Sequence, residues 1–136
     1  PRTRLPEILA FITDCGSRHG IRIVNVFHAG DGNIHPILLF DERDAEQVAR
    51  VLKASDEILV KCIEMGGSVT GEHGIGVEKI SFMDKLFTAD DLAVMRQVHD
   101  VFNPDGRCSP QKMLPTAGGC STEQIERSSP GRRAAL

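Results

Sequence analysis

Apolar side chains recur at three- and four-residue spacing in three stretches, the pattern of helices with one buried face. The spacing predicts helices over residues 6–18, 44–65 and 88–102. The second is the clearest, because its apolar positions hold the period over about five turns. A short helix is also expected over residues 77–86, and Gly66 is suited to end the long helix in a left-handed conformation.

Two runs rich in β-branched residues predict strands over residues 21–27 and 34–40, and a short third strand is expected over 68–70. The turn-forming residues 28–33 between the first two strands favour a hairpin. The order of elements therefore predicts an α+β fold, with helices packed on one face of a small, mainly antiparallel sheet.

Composition narrows the possible classes of protein. The chain has 136 residues, a formal net charge of −3 and 40% hydrophobic residues, without Trp or Tyr. This size suits one domain with an aliphatic core. The charge balance excludes an electrostatic nucleic-acid or membrane-surface binder, which needs a basic excess. No apolar run approaches the roughly 20 residues of a transmembrane span.

The chain divides by composition at residue 116. We expect a domain over residues 1–115 and a disordered tail over 116–136, because the tail is dominated by Gly, Ser, Pro, Arg and Ala and has little to bury. The chain starts at Pro1 without a Met, so we expect it to be a piece of a longer protein.

The cysteines indicate a reducing, cytoplasmic environment. Cys15, Cys62, Cys108 and Cys120 form no C-x-x-C pair and no zinc-finger spacing. Without a secretion signal, four such residues are typical of free thiols.

Three of the five histidines fall in two glycine-rich turns, residues 28–35 and 71–76. His28 and His35 bracket the first turn, so facing strands can bring both rings together. Glu72 or His73 would approach from the second turn. Two histidines and one carboxylate leave a coordination position open on a zinc-like ion, which is typical of a catalytic site.

Each of these features is common when it stands alone. A turn histidine is usually solvated or caps a helix, and Gly74-Ile75-Gly76 lacks the lysine of a phosphate-binding loop. Asp31 and Asn33 match part of a calcium loop, but no acidic residue follows at its closing position. The coincidence of two histidine-bearing turns is the informative feature.

Two segments carry a family resemblance: His28-Ala-Gly-Asp-Gly-Asn-Ile-His35, and residues 66–76, which contain Gly-Glu72-His73-Gly. Together with residues 1–5 and 102–112 they resemble the C-terminal domain of FAD-linked 2-hydroxy-acid oxidoreductases of the glycolate oxidase, D-lactate dehydrogenase and D-2-hydroxyglutarate dehydrogenase type. The resemblance covers about residues 1–115 and implies a ferredoxin-like arrangement of the α+β domain.

The resemblance also implies roles for individual residues. His28, His35 and Glu72 match the ligands of a divalent metal such as zinc. His73 matches the base that takes the proton of the substrate hydroxyl. Asn33 matches a motif position to which no role is assigned.

Cofactor and partner expectations follow from the same resemblance. FAD would be bound mainly by a domain upstream of this chain, with Ser109 and Lys112 as candidate contacts. These two lie in Ser-Pro-Gln-Lys, where the family usually has Asn-Pro-Gly-Lys. The glycolate oxidase resemblance further implies an iron–sulfur partner subunit and a cytoplasmic location, peripheral to the inner membrane.

The leading hypothesis is an FAD-dependent enzyme that oxidises a small 2-hydroxy acid, such as glycolate or D-lactate, to the 2-oxo acid. This chain would be its substrate- and metal-binding domain, inactive without the flavin. Two alternatives stay open: a metal-dependent hydrolase that uses the same His, His and Glu, and a non-catalytic domain that binds a partner subunit.

Overall fold

The computed structural model describes residues 1–115; the predicted disordered tail lies outside the described residues. The described residues form two compact units, one from Pro1 to His73 and one that begins at Gly74. The prediction of one domain over residues 1–115 stays a prediction.

The first unit runs helix, strand, strand, helix. A 3₁₀ turn at Arg2–Arg4 leads into α1 (Leu5–His19), followed by β1 (Arg22–His28), β2 (Asn33–Leu39) and α2 (Ala45–Glu64). These four elements lie where the sequence predicts them, to within two residues at each end.

Specific residues end and start the helices of this unit. Gly20, with φ +64°, terminates α1 in the left-handed conformation that glycine adopts without strain. Asp44 caps α2 by accepting hydrogen bonds from the backbone N–H groups of Glu46 and Gln47. The predicted left-handed residue after α2 is confirmed, because Gly66 has φ +76°.

The hairpin presents two different faces. Arg22 pairs with Leu39 and His28 with Asn33 at the two ends of an antiparallel ladder. Paired residues share a face of the sheet, and successive residues alternate between faces.

The inner face of the hairpin packs against the core through three apolar residues: Ile23, Ile34 and Leu38. The other face is exposed, and His28 and His35 lie on it; its four large apolar residues are Val24, Val26, Ile37 and Leu39.

An aliphatic core joins α1, α2 and the start of β1. Ile12, Cys15 and Ala54 are completely buried, and the cluster also contains Ile8, Ile21, Val51, Ile58 and Met65. The predicted aliphatic core is therefore confirmed.

The second unit contains a 3₁₀ turn (Ile80–Phe82), α3 (Met83–Leu86) and α4 (Ala89–Phe102). A capping box begins α4: the Asp91 N–H donates to Thr88 Oγ1, and the Asp91 carboxylate accepts from the Thr88 N–H.

Two predictions of secondary structure are wrong. Helical structure starts at Ile80 and not at residue 77: Gly76 has φ +59°, and residues 76–79 form a turn and a bend. Residues 68–70 form no strand; within residues 1–115, β1 and β2 pair only with each other. The apolar signal at this position comes from Val69, whose side chain is 2% exposed.

The fold class is confirmed as α+β with a small antiparallel sheet. Helix α1 contacts both β1 and α2, so the helices of this unit lie on the inner face of the hairpin. Among the helices of residues 1–115, none combines the length and apolar character that a bilayer span requires.

Candidate metal centre

The hairpin brings His28 and His35 together at the end that carries the connecting turn. His28 is the last residue of β1, and the N–H groups of Asp31 and Gly32 both donate to its carbonyl oxygen, at 3.3 and 3.0 Å. This tight connection lets β2 begin at Asn33, opposite His28. The ring centroids of His28 and His35 are 5.4 Å apart, and the ring planes are nearly perpendicular at 88°.

Glu72 approaches this pair from the segment that follows α2. The chain leaves the helix through Gly66, and the Gly67 N–H donates to the Cys62 carbonyl at 2.8 Å. At the end of this segment, Glu72 Oε1 lies 3.0 Å from His35 Nε2. One donor atom from each of His28, His35 and Glu72 lies within 4.8 Å of the other two.

His73 lies beside these three residues and is more exposed. Its Nε2 is 3.5 Å from Glu72 Oε1, and its ring centroid is 5.2 Å from that of His35. The His73 side chain is 71% exposed, against 20% for His35. His73 can therefore meet a molecule from solvent with a ring nitrogen while staying next to the carboxylate.

The chemistry of the three donors suits a divalent cation of the zinc type. Neutral imidazole nitrogens and a carboxylate oxygen are the usual ligands of zinc and related ions in catalytic sites, where three protein ligands leave a position for a water or a substrate. The site lies at the surface, so that position would be open to solvent.

Sequence reasoning missed a contact that supports the hairpin connection. Arg2 Nη1 donates to the Gly30 carbonyl at 3.2 Å, and a Cβ on Gly32 would lie 3.6 Å from Arg2. The N-terminal 3₁₀ turn thereby packs on the loop between the two histidines. The distance between these positions along the chain left no local signal of the contact.

A second group of possible metal donors lies between α1 and α2, at Cys15, His19 and Glu57. His19 Nε2 is 2.8 Å from Glu57 Oε1, and Arg18 Nη1 donates to Glu57 Oε2 at 2.8 Å. The hydrogen bonds from His19 and Arg18 lower the pKa of the Glu57 carboxyl. Burial, chiefly, raises the pKa of the Cys15 thiol, which donates weakly to the Ala54 carbonyl. Protonated Cys15 and cationic Arg18 both disfavour a cation here. We therefore interpret this cluster as hydrogen bonds and ion pairs that hold α1 against α2.

The candidate flavin contacts lie in the second unit, in a turn after α4. Ser109 and Lys112 are both exposed, and the Lys112 N–H donates to the Ser109 carbonyl at 3.3 Å. Ser109 and Gln111 have positive φ values of 43° and 61°. The structure therefore brings these two residues into one turn.

Comparison with known proteins bears on the identity of this domain. The family described as FAD linked oxidases, C-terminal domain, matches residues 1–113. The chain belongs to this family. Its β-hairpin and the two histidine-bearing segments are thus features of an FAD linked oxidase C-terminal domain.

Three curated relatives of this FAD linked oxidase domain illustrate its similarity. The chain is 43% identical over 121 residues to glycolate oxidase subunit GlcD of Escherichia coli K12, covering 89% of this chain and 24% of the relative. It is 34% identical over 114 residues to GlcD of Bacillus subtilis, covering 84% and 24%. It is 30% identical over 114 residues to D-lactate dehydrogenase of Archaeoglobus fulgidus, covering 84% and 25%. The chain therefore spans about a quarter of the length of these relatives.

Proposed function

We propose that the full-length protein carrying this chain oxidises a small 2-hydroxy acid, of the glycolate or D-lactate type, to the corresponding 2-oxo acid. The observation that carries the proposal is the convergence of His28, His35 and Glu72, with His73 beside them, in an FAD linked oxidase C-terminal domain. The relatives named glycolate oxidase subunit and D-lactate dehydrogenase support this substrate class.

The reaction removes a proton from the hydroxyl oxygen and a hydride from the α-carbon. FAD, when bound, supplies the hydride acceptor. His28, His35 and Glu72 would hold a divalent cation, whose charge makes a neighbouring hydroxyl more acidic. These residues would thereby orient the substrate hydroxyl towards the exposed side of the site.

His73 is proposed as the proton acceptor. A ring nitrogen of neutral histidine is a suitable base near neutral pH. The Glu72 carboxylate, 3.5 Å away, would stabilise the imidazolium that forms. The high exposure of His73 then lets the proton pass on to solvent.

The proposal extends to Ser109 and Lys112 as contacts of FAD. Their support is the family match, which runs to residue 113 and so includes both, and their exposed positions in a single turn. Most of the flavin-binding residues would lie in the part of the enzyme that this chain does not contain.

A partner is also proposed: an iron–sulfur subunit that takes electrons from the reduced flavin, in the cytoplasm at the inner membrane. The name of the Escherichia coli relative, a subunit of glycolate oxidase, supports an assembly of more than one chain. Affinity purification of the full-length protein from its native source, followed by iron analysis of the co-purifying chains, tests this. A stable, iron-free preparation that is fully active with a physiological quinone would contradict it.

The substrate class is tested by anaerobic flavin reduction in the full-length protein. We expect glycolate or D-lactate to bleach the flavin absorbance at about 450 nm, and acids without the 2-hydroxyl group (acetate, propionate) to leave it unchanged. The metal-dependent hydrolase predicts instead that this chain alone cleaves ester or amide substrates without flavin. The non-catalytic binding domain predicts that replacing His28 or His35 leaves flavin reduction unaffected.

A further inference from the structure

Gly71 lies directly against the side chain of Asn33. An ideal Cβ at position 71 would be 2.7 Å from Asn33 Cγ and 3.1 Å from Nδ2, and it would overlap Oδ1. Cβ atoms essentially never come within 3.0 Å of another heavy atom. A side chain at position 71 therefore requires the Asn33 side chain or the segment that carries Gly71 to shift.

The requirement at position 71 is one of space and not of backbone conformation. Gly32 and Gly66 have φ values of +83° and +76°, in the left-handed region that disfavours other residues. Gly71 does not share that conformation, so its backbone would accept alanine if Asn33 were smaller.

Asn33 is itself held firmly at the histidine end of the hairpin. It is paired with His28 across the ladder, and its N–H donates to Asp31 Oδ1 at 3.0 Å. These contacts fix the backbone of Asn33 beside the histidines, and its side-chain amide lies against the residue immediately before Glu72.

We infer that the contact between Asn33 and Gly71 is a positioning contact that sets how closely the Glu72 carboxylate approaches His28 and His35. The inference rests on the metal ligands of the proposed function. Metal–ligand distances tolerate a departure of only about 0.2 Å. On this inference Asn33 keeps its place, a side chain at position 71 pushes the segment away from the hairpin by more than that, and Glu72 moves with it. Asn33 acts through Glu72 and is not itself a ligand.

A double-substitution cycle tests the contact in the full-length protein. The Zn²⁺ dissociation constant is measured by competition with a chromogenic chelator, and the melting temperature of the metal-free protein is measured alongside it. We expect Gly71→Ala to weaken Zn²⁺ binding by at least about tenfold, as is typical of losing a supporting contact. In the Asn33→Ala background the overlapping atoms are gone, so we expect Gly71→Ala to change the dissociation constant less than about twofold there.

Gly30→Ala is the matched control in the same hairpin. Apart from its chain neighbours, no heavy atom of residues 1–115 lies within 4 Å of a Cβ at position 30, and φ there is not in the left-handed region. We expect unchanged Zn²⁺ affinity. A purely structural role would lower the melting temperature of metal-free Gly71→Ala without a selective loss of affinity.

Three results would overturn the inference: Gly71→Ala binding Zn²⁺ as the unsubstituted protein does, an equal loss of affinity with and without Asn33→Ala, or a loss of affinity only in proportion to melting temperature. If Gly71→Ala fails to fold, the Zn²⁺ dissociation constants of Asn33→Ala and of the double variant are compared instead. The inference requires these two constants to agree within about twofold. If the unsubstituted protein binds no divalent ion, the ligand set of the proposed function fails as well, and all variants then give the same null result.

Discussion

His35 Nε2 and Glu72 Oε1 lie 3.0 Å apart, although one belongs to β2 and the other to the irregular segment after α2. The hairpin places His35 on the same exposed face as His28, and Glu72 joins them from outside the sheet. The candidate site is therefore assembled from two parts of the chain that must be held in register by contacts between them.

The histidine pair is expected to provide the two nitrogen ligands of a divalent ion. We predict that His28→Ala and His35→Ala each weaken Zn²⁺ binding by at least about tenfold, because each removes one of three protein donors. Chelator competition on the full-length protein measures this. His99→Ala in α4, where the ring contacts Asp100 and Asn103, serves as the control. Equal affinity in the His28, His35 and His99 variants would contradict the ligand assignment.

His73 is expected to act on the proton without holding the metal. His73→Gln should lower the rate of flavin reduction by about a hundredfold, in the range of a lost general base. The same variant should keep its Zn²⁺ dissociation constant within about threefold of the unsubstituted value. Rapid-mixing absorbance and chelator competition on one preparation separate the two effects. Flavin reduction at the unsubstituted rate would remove His73 from the proton-transfer role.

The Glu57 cluster is expected to make stability depend on pH. The hydrogen bonds from His19 and Arg18 lower the pKa of Glu57 in the folded state. A carboxyl with a depressed folded-state pKa stabilises the fold above its unfolded-state pKa, and this contribution is lost as pH falls through the folded-state value. The difference in unfolding free energy between the unsubstituted protein and Glu57→Gln should therefore shrink as pH falls from about 5 to about 3.

Urea unfolding at several pH values measures this difference. Because the Glu57 side chain is 39% exposed, about 1 M salt should reduce the effect by screening. Asp56→Asn, on the same helix but outside the cluster, is the control. A difference that grows as pH falls would show that the sign of the argument is wrong.

The core is expected to depend strongly on Ile12, which is completely buried between α1 and its neighbours. Ile12→Ala should lower the unfolding free energy by about 2–5 kcal/mol, from lost apolar burial and the cavity left behind. Leu52→Ala on α2 is the matched control, because Leu52 is 61% exposed, and it should cost less than about 1 kcal/mol. Similar losses in both variants, measured by urea unfolding, would contradict the described core.

The main helices and strands could be predicted because their signals are local. The apolar period of α2, the Asp44 and Thr88 caps and the turn residues at 29–32 each act within a few positions. The strand predicted at 68–70 was wrong for the same reason: Val69 is buried, and burial produces the same apolar signal whether or not a neighbouring strand provides hydrogen bonds.

The site could be predicted only in part. The two glycine-rich turns identified the candidate side chains. The structure brings His28, His35 and Glu72 together, with His73 at their edge. The supporting contacts, Arg2 on Gly30 and Gly71 against Asn33, had no sequence signal. Each depends on how two distant segments meet, which spacing along the chain does not encode.

Under the proposed function, Glu72 and the two histidines activate the substrate for hydride transfer to flavin. The rate of anaerobic flavin reduction by D-lactate or glycolate tests this in full-length protein with Glu72→Gln, compared with Glu42→Gln as an exposed acidic control. We predict that Glu72→Gln keeps its full flavin content but reduces the flavin at least about a hundredfold more slowly, while Glu42→Gln matches the unsubstituted protein. Equal reduction rates in all three proteins, at equal flavin content, would contradict this role of Glu72.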